Sequence, residues 1–470
     1  MSVKSSFLDR TLKQFRRAWR FTAAASDGEL KSQVDAELRD EDLPLVRQHI
    51  DACLAGRGGE VSARARAARL GELYLNLSDT GRGRFLGVLA EDYGVPGERV
   101  EELVEAWRDA VSDTERTQIQ HRLHAVLEAP RRTLLRQFND LDQGVKFLVD
   151  LRADLRRMAD ENKALSALDH DLRELLTSWF DVGFLDLRRI TWETPAALLE
   201  KLIAYEAVHA IKSWDDLKNR LAEDRRCYAF FHPSMPDEPL IFVQVALVKG
   251  MSGDVSALLD ETAPLEDPLH ADAAIFYSIS NCQSGLAGVS FGNFLIKRVA
   301  SALARELPNL KTFATLSPIP GFSRWLRGRL TDDPDAFDAG PLPPVITEHS
   351  DAQTWAQALQ NMLEDQTWAE QVDLQAALKP VLLRACADYL LHAMRGSRAM
   401  DPVAHFHLSN GARVERLNWL GDRSTEGMRR SAGLMVNYLY DLGQVDQNHE
   451  AYRGEGQIVA AADVTRLLKT

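Results

Sequence analysis

Between about residues 180 and 215 the chain changes the period at which its apolar residues recur. That change restricts it to an all-helical part followed by a mixed one. From about Asp27 to Ile190, segments such as DLPLVRQHIDACLAG, RARAARLGELYLNL and VEELVEAWRDAV repeat apolar residues every three or four positions. This spacing gathers them on one helical face. Gly or Pro separates the segments at Gly56–Gly59, Pro96–Gly97 and Ala129–Pro130, as helix ends require. The run LRRMADENKALSALDHDLRELLTSWF reads as one long amphipathic helix with charged, solvated faces. After about Trp214 the period shortens. RCYAFFHP and EPLIFVQVALVKG are β-branched and aromatic runs flanking the turn-prone PSMPDE, and they predict a hairpin. AAIFYSISNC and KTFATL predict further strands, and FLIKRVASALAREL and the stretch Thr354 to Met394 predict helices. The Asn410–Gly411 pair, between alternating residues, predicts a type I′ hairpin turn.

At 470 residues the chain exceeds what one hydrophobic core normally serves. The reading is therefore α+β with two domains: residues 1–180 helical, a scaffold or oligomerisation module, and residues 181–470 mixed α/β and catalytic. No stretch is apolar for long enough to span a bilayer. A formal charge of −13 argues against a whole-chain affinity for nucleic acid or anionic lipid, although a local basic cluster can still hold a polyanion. The four cysteines form no CxxC or CxxH pair, which disfavours a zinc site and suggests a reducing compartment. Residues 1–26 are rich in Arg, Lys and Ser, with Asp9 the only acid. A mitochondrial transit peptide has this composition, and so does an amphipathic first helix carrying Phe7, Leu12, Phe15 and Trp19. Without an apolar signal core we favour the helix, and a cytoplasmic location over the mitochondrial matrix.

Four places could carry chemistry. The first is IFYSISNCQSGLAGVSFGNFLIKRVASAL, a strand, a loop with glycines at 285, 288 and 292, and a helix. Such a loop lets backbone approach a ligand closely, and the helix start favours an anion such as a pyrophosphate. It is neither a Walker loop nor a dinucleotide fingerprint. It loosely resembles the pyrophosphate loop of the acetyl-CoA-binding N-acetyltransferase fold, with Lys297 and Arg298 as candidate phosphate contacts. The second is Leu316 to Phe322, LSPIPGF. The proline after Ser317 pushes the serine out of helical space, so its hydroxyl is held at a strand end. The third is His405-Phe406-His407. On a strand the two imidazoles would face one side, allowing a metal pair, but one histidine working as a proton carrier is the better reading. The fourth is GLMVNYLYDL, where Tyr440 is a candidate hydrogen-bond donor and Tyr438 an aromatic core residue.

In this order, the segments FFHPSMPDEPLIFVQVAL, AIFYSISNCQSGLAGVSFGNFLIKRV, FATLSPIPGFSRWL, DPVAHFHLSNGARVERLNWLGD and SAGLMVNYLY resemble the malonyl-CoA decarboxylases over roughly residues 225 to 440. The resemblance implies conversion of malonyl-CoA to acetyl-CoA and carbon dioxide with no metal or organic cofactor. It implies an N-acetyltransferase-like catalytic domain and a homo-oligomer, a dimer or tetramer, built through the helical domain. Carried over residue by residue, it places the catalytic serine at Ser317 and the histidine at His407, with Tyr440 and Ser278 in support. The CoA loop falls on Ala287, Gly288, Val289, Ser290, Phe291, Gly292 and Asn293. Two positions depart from the family pattern: Ser290 stands where some relatives have Glu, and His405 where several have Asn. The chemistry fits these residue types. The thioester accepts the electrons of the breaking C–C bond, and the protein must hold the carboxylate, stabilise the enolate oxygen and protonate carbon. On this reading His407 delivers the proton or hydrogen-bonds the enolate, and Ser317 orients the malonyl carboxylate. The rival readings are a CoA-dependent N-acyltransferase, suggested by the Gly-rich loop, and a non-catalytic malonyl-CoA-binding protein, suggested by the large helical half.

Overall fold

The structure is a computed structural model that describes residues 33–56, 59–159, 163–180, 182–289 and 295–469. The basic segment at residues 1–26 lies outside the described residues, as do Ser290, Phe291, Gly292 and Asn293. Eight α-helices come first among the described residues: α1 Leu43–Leu54, α2 Glu60–Asn76, α3 Asp79–Glu91, α4 Gly97–Asp109, α5 Asp113–Leu127, α6 Pro130–Asn139, α7 Gly144–Met158 and α8 Lys163–Trp179. Their starts carry recognisable caps. Ser78 accepts from the Gly81 N–H at 3.2 Å and Ser112 from the Glu115 N–H at 3.2 Å, which satisfies otherwise orphaned donors. The proline at the start of α6 loses no helical hydrogen bond there.

The run 155–180, expected as one long helix, instead divides between two, α7 and α8. Their apolar stripes explain the difference. Leu148, Leu151 and Leu155 on α7 and Leu165, Leu168 and Leu172 on α8 are all buried in one cluster. A continuous rod would carry its second half away from that core. Folding back buries both stripes, and each leucine removed from water contributes about 1.5–3 kcal/mol. The Arg152 guanidinium ties the two helices by pairing with Asp169 at 2.8 Å.

The second half is built on an eight-stranded sheet. Its strands are β1 Asp186–Ile190, β2 Arg225–Phe231, β3 Ile241–Val248, β4 Ala273–Asn281, β5 Thr312–Thr315, β6 Ser317–Pro318, β9 Arg413–Asn418 and β10 Met435–Leu439, while β7 Met394–Arg395 and β8 Arg398–Ala399 form a separate small hairpin. The order is β1-β2-β3-β4-β5-β10-β6, with β9 also on β10. The expected hairpin across PSMPDE is the β2–β3 pair. Every pairing is antiparallel except β4 with β5. A parallel pair needs a crossover, and here the chain makes it through the Gly-rich loop and the helix Leu295–Glu306. This is the α+β arrangement expected from the sequence, with the loop leaving the end of a central strand.

Two local features shape the site. β4 carries a bulge opposite Gln244 and Val245, which re-aims the residues after it. The β4–β5 pairing runs only from Ala273–Thr312 to Phe276–Thr315. Beyond it, β4 continues to Asn281 against β3, whereas the chain after β5 goes to β10 as β6. The two central strands therefore part at Phe276 and Thr315. Among the described residues no helix is long and apolar enough to cross a membrane.

The segment 402–412 differs from its sequence reading. His405-Phe406-His407 lies on a helix, Pro402–Ser409, and Asn410–Gly411 ends that helix instead of turning a hairpin. Asp401 and Pro402 supply the reason. The aspartate caps the Val403 and Ala404 N–H groups at 2.9 and 3.0 Å, and proline is favoured at the first helical position. This start signal outweighs the alternating pattern. Gly411 has φ +82° and a Cβ there would lie 2.1 Å from the Val445 carbonyl oxygen, so the exit turn demands glycine twice over.

Candidate active site

Four side chains form one buried hydrogen-bonded chain where the strands part. Ser317, on β6, is held extended by Pro318 and paired with Val436 of β10. Its Oγ lies 2.8 Å from Thr315 Oγ1 and 3.1 Å from His407 Nε2. His407 Nδ1 lies 2.8 Å from the Tyr440 hydroxyl, and Thr315 Oγ1 also accepts the Tyr438 N–H at 3.1 Å. Ser317, His407 and Tyr440 are 5%, 3% and 1% exposed, so their polar atoms sit in a water-poor setting. Thr315 and Ser317 are two apart across a strand end and face one side. Tyr438 on β10 and Tyr440 just past its end both turn their rings to His407.

Burial sets the charge states. It lowers the His407 pKa to about 3 and holds the Tyr440 phenol well above its usual range. The imidazole is therefore neutral near pH 7, with one N–H. A self-consistent pattern has Tyr440 O–H donating to Nδ1, Nε2–H donating to Ser317, and Ser317 O–H donating to Thr315. In this direction the serine ends as a hydrogen-bond donor, free to turn from Thr315 to an oxygen of a bound molecule. The imidazole is fixed at both nitrogens and by the Tyr438 ring, stacked on it with centroids 4.6 Å apart and planes at 24°. The Tyr438 hydroxyl is buried and has no hydrogen-bond partner among the described residues, in keeping with a packing role for the ring. Replacing Tyr440 with Phe is expected to lower turnover by about tenfold at unchanged KM, since one hydrogen bond that fixes the imidazole is lost. Steady-state kinetics reads this directly.

Asp401 joins the two segments that carry the pair. One of its oxygens caps the His407 helix. The other accepts the Gly321 N–H, just past Ser317, at 3.2 Å and the Tyr389 O–H at 3.3 Å. Burial raises its pKa, against the pull of those donors.

Not all the sequence candidates meet here. Ser278 is 1% exposed but sits opposite Gln244, on the side of the sheet away from the His407 chain. Its Oγ donates to the Glu206 carboxylate, 2.8 Å from each oxygen. Ser280, Gln244 Nε2 and the Val208 and His209 N–H groups donate to the same carboxylate. His405 and His407 diverge, as residues two apart on a helix must: His405 Nδ1 turns to the Tyr452 hydroxyl at 2.8 Å. That geometry removes the metal pair considered for them. Among the described residues no three His, Cys, Asp or Glu side chains converge as metal ligands. All four cysteines are buried and unbridged.

In the Gly-rich loop, Ser284–Leu286 form a short 3₁₀ turn and Gly288 has φ +77°; Ala287 and Val289 flank it. Lys297 pairs with Asp446 at 2.8 Å, and Arg298 donates to the Leu185 carbonyl at 3.0 Å beneath the Phe230 ring. Both cations stand on the helix that follows the loop.

Residues 183–470 match the family model described as malonyl-CoA decarboxylase C-terminal domain, and residues 93–180 the one described as malonyl-CoA decarboxylase N-terminal domain. The chain belongs to the malonyl-CoA decarboxylase family. It is similar to the mitochondrial malonyl-CoA decarboxylase of Anser anser anser, 37% identical over 421 residues that cover 86% of this chain and 83% of that one. It is similar also to two crystal structures of family members. The malonyl-CoA decarboxylase of Rhodopseudomonas palustris is 44% identical with a TM-score of 0.81, and that of Agrobacterium vitis 40% identical with a TM-score of 0.79. Each comparison covers 90% of this chain and 99% of the other.

Within this family frame, sequence reasoning missed Thr315, Asp401, Tyr389 and Glu206. Thr315 stands two before Ser317 and could have been found by strand parity. Asp401, just before Pro402, carries a helix-start signal. Glu206 and Tyr389 have no local signature, because their partners are remote in sequence.

Proposed function

We propose that this chain decarboxylates malonyl-CoA to acetyl-CoA, with the Ser317–His407–Tyr440 chain at the reacting end. Residues 181–470 are the catalytic domain and residues 1–180 a helical domain. The observation that carries the reading is the neutral, doubly anchored imidazole in contact with a serine hydroxyl at the point where β4 and β5 part. The C–C bond to the carboxylate breaks, its electron pair enters the thioester as an enolate, and carbon dioxide leaves. Ser317 turns its O–H from Thr315 to the enolate oxygen, backed by His407 Nε2–H. The pair then passes a proton to carbon and regains it from solvent, so the net reaction consumes one proton. A serine placed this way acts as donor, and no acyl-serine forms. With Nε2 held to the serine, the histidine's proton reaches substrate through Ser317. The acyl-CoA nucleotide lies along the loop Ala287–Asn293, with Lys297 and Arg298 on its helix.

The purified chain given malonyl-CoA is expected to form acetyl-CoA and carbon dioxide in equal amounts. Amine acylation without carbon dioxide would indicate an N-acyltransferase instead, and binding without turnover a sensor. Ser317→Ala is expected to reduce turnover by about 10²–10³-fold, the effect of losing one donor to a developing oxyanion. Near-normal carbon dioxide release from this variant would refute the assignment.

We read the helical domain as the oligomerisation surface as well. The hairpin of α4 and α5 has its own small core of Leu103, Ala110 and Ile119, and it leaves Trp107, Val111 and Leu127 exposed. Light scattering of wild type against Trp107→Glu tests this, a dimer or tetramer dissociating in the variant. A cytoplasmic location belongs to the same reading and is checked by cell fractionation.

A further inference from the structure

The helical half reaches the Gly-rich loop directly. Arg152, on α7, is 1% exposed, and its guanidinium serves two elements at once. Nε and Nη2 hold the Asp169 carboxylate at 2.8 and 3.2 Å. Nη1 donates to the carbonyl oxygens of Gly285 at 2.7 Å and Ala287 at 2.9 Å. One turn later, Arg156 Nη1 donates to the Ser284 carbonyl at 2.9 Å. Gly285 lies flat against the same helix, where a Cβ would stand 1.8 Å from the Val149 carbonyl oxygen.

Three carbonyls of one short loop are therefore tied to α7. A buried guanidinium is costly unless its N–H groups are bonded, and here the loop backbone supplies the acceptors that Asp169 does not. Fixing a carbonyl also fixes the N–H of the next residue, because the peptide is planar and trans. With the Ala287 carbonyl drawn toward α7, the Gly288 N–H points away from it. Gly288 itself takes the left-handed conformation, φ +77°, which glycine adopts without strain.

We propose that Arg152 is a positioning residue for the nucleotide end of acyl-CoA: the helical half presents the loop Ser284–Val289 to the ligand's phosphates. Arg152 does not touch the ligand and acts through the loop backbone. The inference rests on the acyl-CoA reading above. It has a consequence that a merely structural role lacks: the defect depends on whether the substrate carries the nucleotide.

The test compares malonyl-CoA with malonyl-pantetheine, which has the same reacting end and no nucleotide, on the full chain. Arg152→Gln is expected to raise KM for malonyl-CoA about tenfold with kcat within about twofold, as the loss of one or two hydrogen bonds would. Its kcat/KM for malonyl-pantetheine stays at the wild-type value. Arg156→Gln, at an exposed position, is expected to shift KM for malonyl-CoA the same way by about threefold. Arg157→Gln, an exposed neighbour that pairs with Asp79 and Asp154, changes neither substrate. Equal losses on both substrates, or no loss on malonyl-CoA, overturn the proposal. If Arg152→Gln fails to fold, an Arg156→Gln enzyme with unaltered KM for malonyl-CoA overturns it too. Wild type that releases carbon dioxide from neither substrate refutes the decarboxylase reading instead.

Discussion

His407→Gln is expected to lower kcat on malonyl-CoA by about 10²–10⁴-fold, the range for removing a positioned proton donor, while the chain still folds. The imidazole is held by Ser317, Tyr440 and the Tyr438 ring, and a glutamine amide reproduces neither the stack nor both hydrogen bonds. Full carbon dioxide release from the folded variant would remove the histidine from the mechanism. Burial depresses the His407 pKa to about 3, so between pH 5 and 8 this residue contributes no inflection to the rate.

The same depression shapes stability. In the unfolded chain the imidazole titrates near 6.5, so from there down to about pH 3 the unfolded state binds the extra proton. The contribution is complete above pH 6.5 and is lost as pH falls toward the folded value, at up to about 1.4 kcal/mol per pH unit. Urea unfolding at pH 7 and pH 5 should therefore differ by about 2 kcal/mol more in wild type than in His407→Gln. An identical difference in both proteins would contradict a buried neutral histidine.

Asp401→Leu is expected to be the most destabilising change near the site. It strips the acceptor from the part-buried N–H groups of Gly321 and Val403 and the buried one of Ala404. A buried orphaned donor costs about 1–3 kcal/mol and the two part-buried ones less, for a total of about 2–4 kcal/mol. A urea midpoint close to wild type would contradict this. Asp401→Asn separates stability from activity. Its side-chain oxygen can still cap the His407 helix, but its amide N–H₂ then faces the Gly321 N–H. The link between the serine turn and the histidine helix is lost while the helix stays capped. The expected result is near-native stability with kcat lowered about tenfold at constant KM, a loss that about 1.4 kcal/mol of misplacement would cause. Wild-type kcat in Asp401→Asn would show that the link has no part in placing the pair.

Particular residues show how far the sequence could be read. Ser317 was legible because its constraint is local: the following proline excludes helix, and strand runs surround it. The β2–β3 hairpin was legible because turn residues and apolar alternation coincide there. His407 is legible as a candidate residue, but its alternating neighbours suggest a strand where it lies on a helix, since alternation over a few positions carries less information than one Asp-Pro helix start. The fold-back of α7 onto α8 left no mark in the periodicity, because both helices keep the same apolar stripe whether continuous or reversed.

The sequence by itself determined the two-part α+β organisation and the strand–loop–helix that carries the Gly-rich loop, and it singled out Ser317, His407 and Tyr440 as candidates. These depend on backbone preferences and periodicities that act over a few residues. Only the tertiary structure decided that His407 is neutral, that Asp401 binds the serine turn to the histidine helix, and that Arg152 of the helical half holds the loop carbonyls. Each of these depends on burial or on partners 80 to 135 residues apart. Desolvation and hydrogen bonds across such separations exist only once the chain has packed.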